Sequence, residues 1–587
     1  MPSLTLNSSA FVDDALVVSE ARALTPSVSD AVIMRHTSHV LGRAVGDLSL
    51  DASFIGQGGH SLLAIKLASR CRSSSTKIAV GAILIAPSLQ EILNAATVTQ
   101  DTLSRVEMAE DVDNKEPSTD SSGILDSMRS IIAETVVEVE SASGSDFINN
   151  PGTNVISFYE TYRTANIPSI RAAWKRVIEA EPTFKLSFAA ADTGKILELP
   201  QALFAWNETV VGSRAEYEAA LEQDASPHTI DVSFNVITLP SEGISTIAWR
   251  VHHVFIDGMA AQSVYNKFQG ALAGKEVTPG TPFQHVIQEL REYQRRTLTY
   301  RKKFWAIQAA KHPKPVCDIG LGTAPADGPE GMDSVSITVP SERISAKACA
   351  LGVSVPSWYQ AAWALVLSLY ADSDSVTFGA VLSGRDPPID GAADTIGPLI
   401  NTLPFNTTLD QSTNVTDYLR SIFRHSVELS GVQCSAPEDG FTRQFTTALA
   451  MEFEMAPADD QGIRPIGSSW FKTLPNIPLS IYMTYNGKIR LCFSKKKYLM
   501  EDMQVLAEHF HVAIMRLCSW MCTVGDVMAS LLTTDSEDRL MAFGNCLSEK
   551  SSPAFIIEDL VTLFERAARK NPNAVAVEKS EKALSYA

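Results

Sequence analysis

The chain lacks any apolar run near the ~20 residues that a bilayer-crossing helix needs. Its longest stretches, Ile78 to Pro87 and Ala361 to Tyr370, fall well short, so no membrane span is expected. The opening MPSLTLNSSAFVDD has no basic patch followed by an apolar core, so it does not read as a secretory leader and the cytoplasm is the expected location. Cysteines are few and scattered: Cys71, Cys317, Cys349, Cys434, Cys492, Cys518, Cys522 and Cys546. Only Cys518 and Cys522 are close, and none shows zinc-type spacing, so reduced thiols and no metal are expected. Positive charge is also short. The 49 Lys and Arg against 67 Asp and Glu give a formal net charge of −18, and no basic stripe offsets it, which excludes nucleic acid and anionic membranes as partners. There is no internal repeat.

What remains is ordinary globular material, 45% hydrophobic and 20% charged. At 587 residues the chain exceeds the ~250–300 at which single cores stop growing, so several domains are expected. Residues 1–27 read as a linker. Over 28–98 helical spacing dominates: Val32, Ile33, His36, Val40 and Leu41, then Leu62, Leu63, Ile65 and Leu67 behind Ser61, then the capping box Ser88 to Glu91 before Ile92 and Leu93. This pattern predicts a small helical bundle. Residues 99–125, acidic and nearly free of large apolar side chains, read as a second linker. From 126 to 540 the patterns alternate, helical at Ile170–Glu181 and Met503–Trp520, strand-like at Thr246–Phe255, Ser375–Leu382 and Ile489–Phe493. Two lobes are expected, about 126–310 and 311–540. Residues 541–587 carry an apolar helical stripe (Leu560, Leu563, Phe564, Ala567), a Pro-Asn break and a short strand Ala574–Val577; they read as a linker and the opening of a further domain.

Two motifs carry chemistry. In GQGGHSLLAIKL, Gly56 to Leu67, the glycines strip side chains from the approach to Ser61. Ser61 then falls at a helix N-terminus, where free N–H groups and the macrodipole favour a phosphate on its oxygen. An ordinary serine cap after a glycine turn is the alternative. In RVHHVFIDG, Arg250 to Gly258, a neutral imidazole near pH 7 suits proton acceptance, and Gly258 would let a backbone N–H face an oxyanion. Tandem histidines on a strand point to opposite sides, so one of His252 and His253 faces a given site. They lack the helical i, i+4 spacing of common zinc sites.

With Leu50-Asp51-x-x-Phe54 upstream and LLAIKL downstream, the first motif resembles the peptidyl carrier (thiolation) domains of nonribosomal peptide synthetases. The resemblance implies 4′-phosphopantetheine esterified to Ser61, with Gly59, His60 and Leu62 flanking the attachment. The second motif, HHxxxDG, resembles the condensation domains of the same synthetases, relatives of chloramphenicol acetyltransferase with two lobes around a tunnel. Phe304-Trp305, Val376-Thr377-Phe378-Gly379-x-x-x-Ser383-Gly384-Arg385 and Ile396 to Thr402 extend the match. The site set so implied is His252, His253, Asp257 and Gly258: His253 is the catalytic position, His252 and Asp257 are mainly structural, and an Asp257–Arg385 ion pair fixes the loop.

Two family features are absent. No S-x-A-Q-x-R motif is recognisable near 126–160, and where R-H-x-x-L-R-T-x-F is usual the chain reads Ala180-Glu181-Pro182-Thr183-Phe184-Lys185-Leu186-Ser187-Phe188. The tail, LVTLFERAARKNPNAVAVEKSEKALSYA, looks like the start of an adenylation domain. The resulting expectation is a multidomain chain, a small all-α four-helix carrier bundle followed by an α/β (α+β) two-lobed chloramphenicol-acetyltransferase-like domain. Its implied activity is peptide-bond formation between carrier-bound aminoacyl or peptidyl thioesters. Implied partners are upstream adenylation and downstream adenylation and carrier domains, and a phosphopantetheinyl transferase. An epimerisation domain shares HHxxxDG, but an adenylation start directly after it argues against that reading; a vestigial docking scaffold is the alternative from another class.

Overall fold

The computed structural model describes residues 28–98 and 155–531, short stretches within these excepted, together with 569, 575–579 and 582–585. The expected linkers at 1–27 and 99–125, the region 126–154 and the stripe from Leu560 to Ala567 lie outside the described residues. Among the described residues no helix is long and apolar enough to cross a membrane.

The first domain has four helices: α1 (Val28–Leu41), α2 (Ser61–Ser73), α3 (Val80–Ile85) and α4 (Leu89–Ala95). Ile33, Phe54, Ala64, Leu67, Ile83, Leu89 and Ile92 are buried between them, the apolar face that the helical spacing requires. α4 starts where the Ser88 hydroxyl accepts from the Glu91 N–H at 3.2 Å, satisfying one of the orphan donors of the first turn. The strands β1 (Thr76–Lys77) and β2 (Thr97–Val98) pair antiparallel, an element too short to leave a signature in the sequence. The long α1–α2 connection is stitched by Gln57, whose side chain bonds Ser49 N at 2.8 Å, Ser49 O at 2.9 Å and Ala52 O at 3.1 Å.

In the second domain, β3 (Val155–Arg163) begins a sheet to which β6 (Phe204–Val210), β7 (Val232–Leu239) and β8 (Ile244–His252) belong, while β4 (Leu186–Phe188) and β5 (Ile196–Glu198) form a separate hairpin. The helices Ile167–Ala180 and Gly258–Leu272 pack against each other beside this sheet. Trp174 stacks on Phe268 at 4.3 Å between centroids and contacts Trp249 and Phe234. A second sheet holds β9 (Met332–Thr338), β10 (Ser375–Leu382), β11 (Asn401–Thr408), β12 (Thr447–Met451), β14 (Leu479–Met483) and β15 (Lys488–Ser494), in the order β11-β10-β12-β14-β15-β9. The helix Val355–Ala371, apolar nearly all round, is buried in this half, as such a helix must be.

The division between halves is not contiguous in sequence. β13 (Trp470–Lys472), from the later half, pairs antiparallel with β3 and completes the first sheet in the order β13-β3-β8-β7-β6. Single strands of three residues carry no periodicity to betray such a crossing. Element boundaries moved by a few residues, each with a cause. The first expected helix starts at Ile167 because Pro168 occupies its opening turn, and β8 stops at His252 because the chain turns there. From Ser530 the chain forms a unit of its own, in which β16 (Val575–Lys579) and β17 (Lys582–Ser585) pair antiparallel with an irregularity after Val575.

Candidate active site and arm attachment

β8 ends as His252 pairs with Val155. His253 therefore lies just past the strand, in a turn closed by the Ile256 N–H on its carbonyl at 3.4 Å. The strand alternation expected to separate the two histidines does not extend to it. Phe255 and Ile256 sink into the core of the first half and anchor the turn. His253 is enclosed by protein but keeps part of its surface open. Its Nδ1 is sealed from solvent without a hydrogen-bond partner among the described residues. Burial pulls its pKa below the ordinary 6.5, against an opposing contribution from the Asp257 charge, so the imidazole is neutral at pH 7. The His252 side chain is outside the described ones.

Asp257 caps the helix Gly258–Leu272, its Oδ1 accepting from Ala260 N at 2.7 Å. Its Oδ2 accepts from Arg385 Nη1 and Leu399 N, both at 2.8 Å, and from Ile400 N at 3.1 Å. Arg385 reaches on to Ser383 O and Gly397 O, each at 3.0 Å. Both side chains are almost wholly shielded, at 0% and 2% exposure, and both carboxylate oxygens and both terminal guanidinium nitrogens have partners inside the protein, as a buried ion pair requires. Gly384 makes the clasp possible. It is left-handed, φ +69°, and a Cβ there would overlap the Leu399 carbonyl, so only glycine lets the two chains close this tightly. Next to it, burial raises the Asp386 carboxyl, partly offset by hydrogen bonds from Ser430 and Ser383. Gly258 opens the following helix, with no atom within 4 Å of where a Cβ would stand; the space beside the loop is free.

At the other motif, Ser61 is the first residue of α2 and extended His60 precedes it as N-cap, φ −148°, ψ 173°. The first turn has no acidic residue, and its free N–H groups suit a phosphate ester. The side chains of Ser61 and Leu62 are outside the described ones. Gly59 has a reason that the sequence reading missed: a Cβ there would overlap the ring and carbonyl of fully buried Phe54. The glycine is required by packing of the loop, not only by access to the serine. Gly59→Ala should therefore lower the melting point of the carrier domain and slow Ser61 loading together, by a few kcal/mol as overpacking costs do. Adding Phe54→Ala should not recover loading, read by intact mass, because the Phe54 carbonyl still stands 2.6 Å from the new Cβ and losing a fully buried ring costs about 3–5 kcal/mol.

The carrier and the second domain touch at several points. The His60 ring lies 4.7 Å from that of Tyr485, in the turn between β14 and β15, and burial, with Lys66 adding to it, lowers the imidazole to about 4. Cys349 Sγ approaches Gly56 O at 3.3 Å, and α3 packs along the helix Val415–Ser430. Arg72 Nη1 donates to Ile389 O at 2.9 Å.

Glu181, the departure at the expected R-H position, is fully buried. It accepts from Gly280 N at 3.2 Å and from Lys267 Nζ, so the negative charge standing where histidine is usual has its own cation. Lys267 lies at no recognisable motif; nothing in the sequence pointed to it.

The family profile described as "Condensation domain" matches residues 154–433, and that described as "Phosphopantetheine attachment site" matches residues 31–96. The chain carries a condensation domain and a phosphopantetheine attachment domain, the pair found in the nonribosomal peptide synthetases it is similar to. Nonribosomal peptide synthetase aclP of Aspergillus oryzae is 32% identical over 96% of this chain and 36% of its own length. Nonribosomal peptide synthetase ataP of Aspergillus terreus is 29% identical over 80% of this chain and 33% of its own. The chain thus spans about a third of the length of these synthetases. In fold it is similar to the first condensation domain of the CDA synthetase, with a TM-score of 0.53 at 17% identity over 65% of this chain and 95% of that one. VibH, a condensation enzyme, gives 0.51 at 18% over 64% and 93%. The synthetase's attachment domain is one that carries 4′-phosphopantetheine on a serine. The tail that looks like an adenylation start has no counterpart in the two profiles.

Proposed function

We propose that this stretch of synthetase holds an acyl or aminoacyl group at Ser61 and joins it, in the condensation domain, to the amine of a second carrier-bound aminoacyl group. The observation that carries this is a neutral, partly open His253 on a loop clamped by the Asp257–Arg385 clasp, in the same folded unit as a docked carrier whose Ser61 opens a helix. When bound, phosphopantetheine supplies a thiol on a flexible arm, on which the donor is kept as an activated thioester.

The chain's own residues do the rest. Ser61 provides the attachment oxygen, and Gly59 and His60 shape the loop in front of it. His253 Nε2 orients the attacking amine and accepts its proton as the C–N bond forms and the donor thiol departs. An α-amine of ordinary pKa ~7.7–8.0 is partly free at neutral pH, so this proton transfer supplies about 10²–10⁴-fold, and placing the two reactants side by side supplies more. Asp257 and Arg385 are positioning residues. Gly258 leaves room at the start of the helix behind the loop. The partners in this reading are adenylation and carrier domains and a phosphopantetheinyl transferase; the enzyme class is an acyltransferase that makes amide bonds.

The test is intact mass before and after a pantetheinyl transferase with coenzyme A, followed by a supplied acceptor carrier. Wild type should gain one arm and form product; Ser61→Ala should gain nothing and form none. An arm on Ser61→Ala would remove Ser61 from the reading.

A further inference from the structure

The helices and loops of the carrier touch the condensation domain at several points, and Arg72 reaches the segment that holds the catalytic loop. The segment runs from Arg385 to Ile400 and is closed on itself by Arg385 Nη2 to Gly397 O. At its far end Leu399 N and Ile400 N hold Asp257. Its middle is anchored inward: Ile389, Ala392, Ile396 and Leu399 share one core cluster with Phe255, Ile256 and Ala260 of the catalytic loop and its helix. Its back is gripped by Arg72, whose side chain is only 16% exposed and whose Nη1 donates to Ile389 O. The neighbouring Asp390 N–H donates to Glu289 Oε2 at 3.0 Å, so the carrier arginine closes over a backbone already tied to the long helix Phe283–Lys311. The Asp390 carboxylate is peripheral, 4.0 Å away and 77% exposed. The backbone carbonyl is therefore the meaningful acceptor.

We infer that Arg72 is a positioning residue that couples carrier docking to the setting of the condensation site. When the carrier is seated, the guanidinium fixes the Ile389 backbone, and through the shared core and the Leu399 and Ile400 amides it stiffens the clasp on Asp257. When the carrier leaves, the segment loses one charged hydrogen bond and the clasp loosens. The catalytic loop is then best ordered when the carrier is seated. This rests on the roles given above to Ser61 and His253.

Hydrogen–deuterium exchange on the whole chain tests it without requiring turnover. Arg72→Ala should raise exchange of the amides in 389–400 and of Ala260 about tenfold, the loss of one charged hydrogen bond. α1 and α4 should stay unchanged, and Ser61 loading should remain normal, which certifies a folded carrier. Single-turnover transfer should fall by a similar factor. Arg72→Lys, which keeps one donor for Ile389 O, should restore most of the protection, and Asp390→Ala should change neither readout. Exchange confined to α2, or no change in 389–400, overturns the coupling, as does failure of lysine to rescue. If wild type forms no product, the proposed function falls, while the exchange result still decides the coupling by itself.

Discussion

His253→Ala gains its arm at Ser61 at the wild-type rate and then stops, with single-turnover product formation lowered at least ~10²-fold, the smaller end of what a positioned acid–base group contributes. Two facts set this expectation. The His253 side chain keeps part of its surface open, so removing the imidazole removes the group that can face the amine. And His253 makes none of the hydrogen bonds of the clasp, so the clasp is left intact. The pH profile adds an independent check. Burial holds the His253 pKa below 6.5, so the imidazole stays neutral through the range where a free histidine would protonate. The acid limb due to this group should therefore lie below pH 6.5. The sign for stability is the same: the contribution is complete above 6.5 and is lost as pH falls below it, because the unfolded imidazole takes up its proton first. Product formed by His253→Ala at the wild-type rate would remove the residue from the mechanism.

Breaking the clasp acts on folding and rate together. Arg385→Ala leaves a carboxylate at 0% exposure without its cation, a loss of about 3–5 kcal/mol for a buried pair broken on one side. The amides of Ala260, Leu399 and Ile400 still serve Asp257, which places the cost toward the lower end. Asp257→Ala is expected to be as harmful, because it also removes the cap of the helix Gly258–Leu272, worth roughly 1 kcal/mol. Losing both together should cost less than the sum, since each single change strands the other's charge. Denaturant midpoints of the condensation domain for the two singles and the double decide this; strict additivity would mean the pair does not act as a unit.

The sequence carried the site further than it carried the architecture. HHxxxDG and SGR lie over a hundred residues apart, yet pointed to one another through resemblance, and the structure places Asp257 and Arg385 at 2.8 Å. Strong periodicity made the helices around Val177 and Phe510 visible to within a few residues. Other features could not be read because nothing local encodes them. Gly59 answers to a ring five residues earlier, Lys267 to a carboxylate 86 residues away, and Arg72 to a carbonyl 317 residues away. Propensity and spacing report on near neighbours; these contacts exist only once the chain has closed.

The short strand Trp470–Lys472 on the edge of β3, continued by Ile466 N on Thr161 O, gives the two halves a suture. Two sheets joined in this way can rock about the seam but cannot part like jaws without stripping main-chain hydrogen bonds from both. Under the proposed function, cargo delivered to His253 would then be threaded between the halves rather than clasped by them.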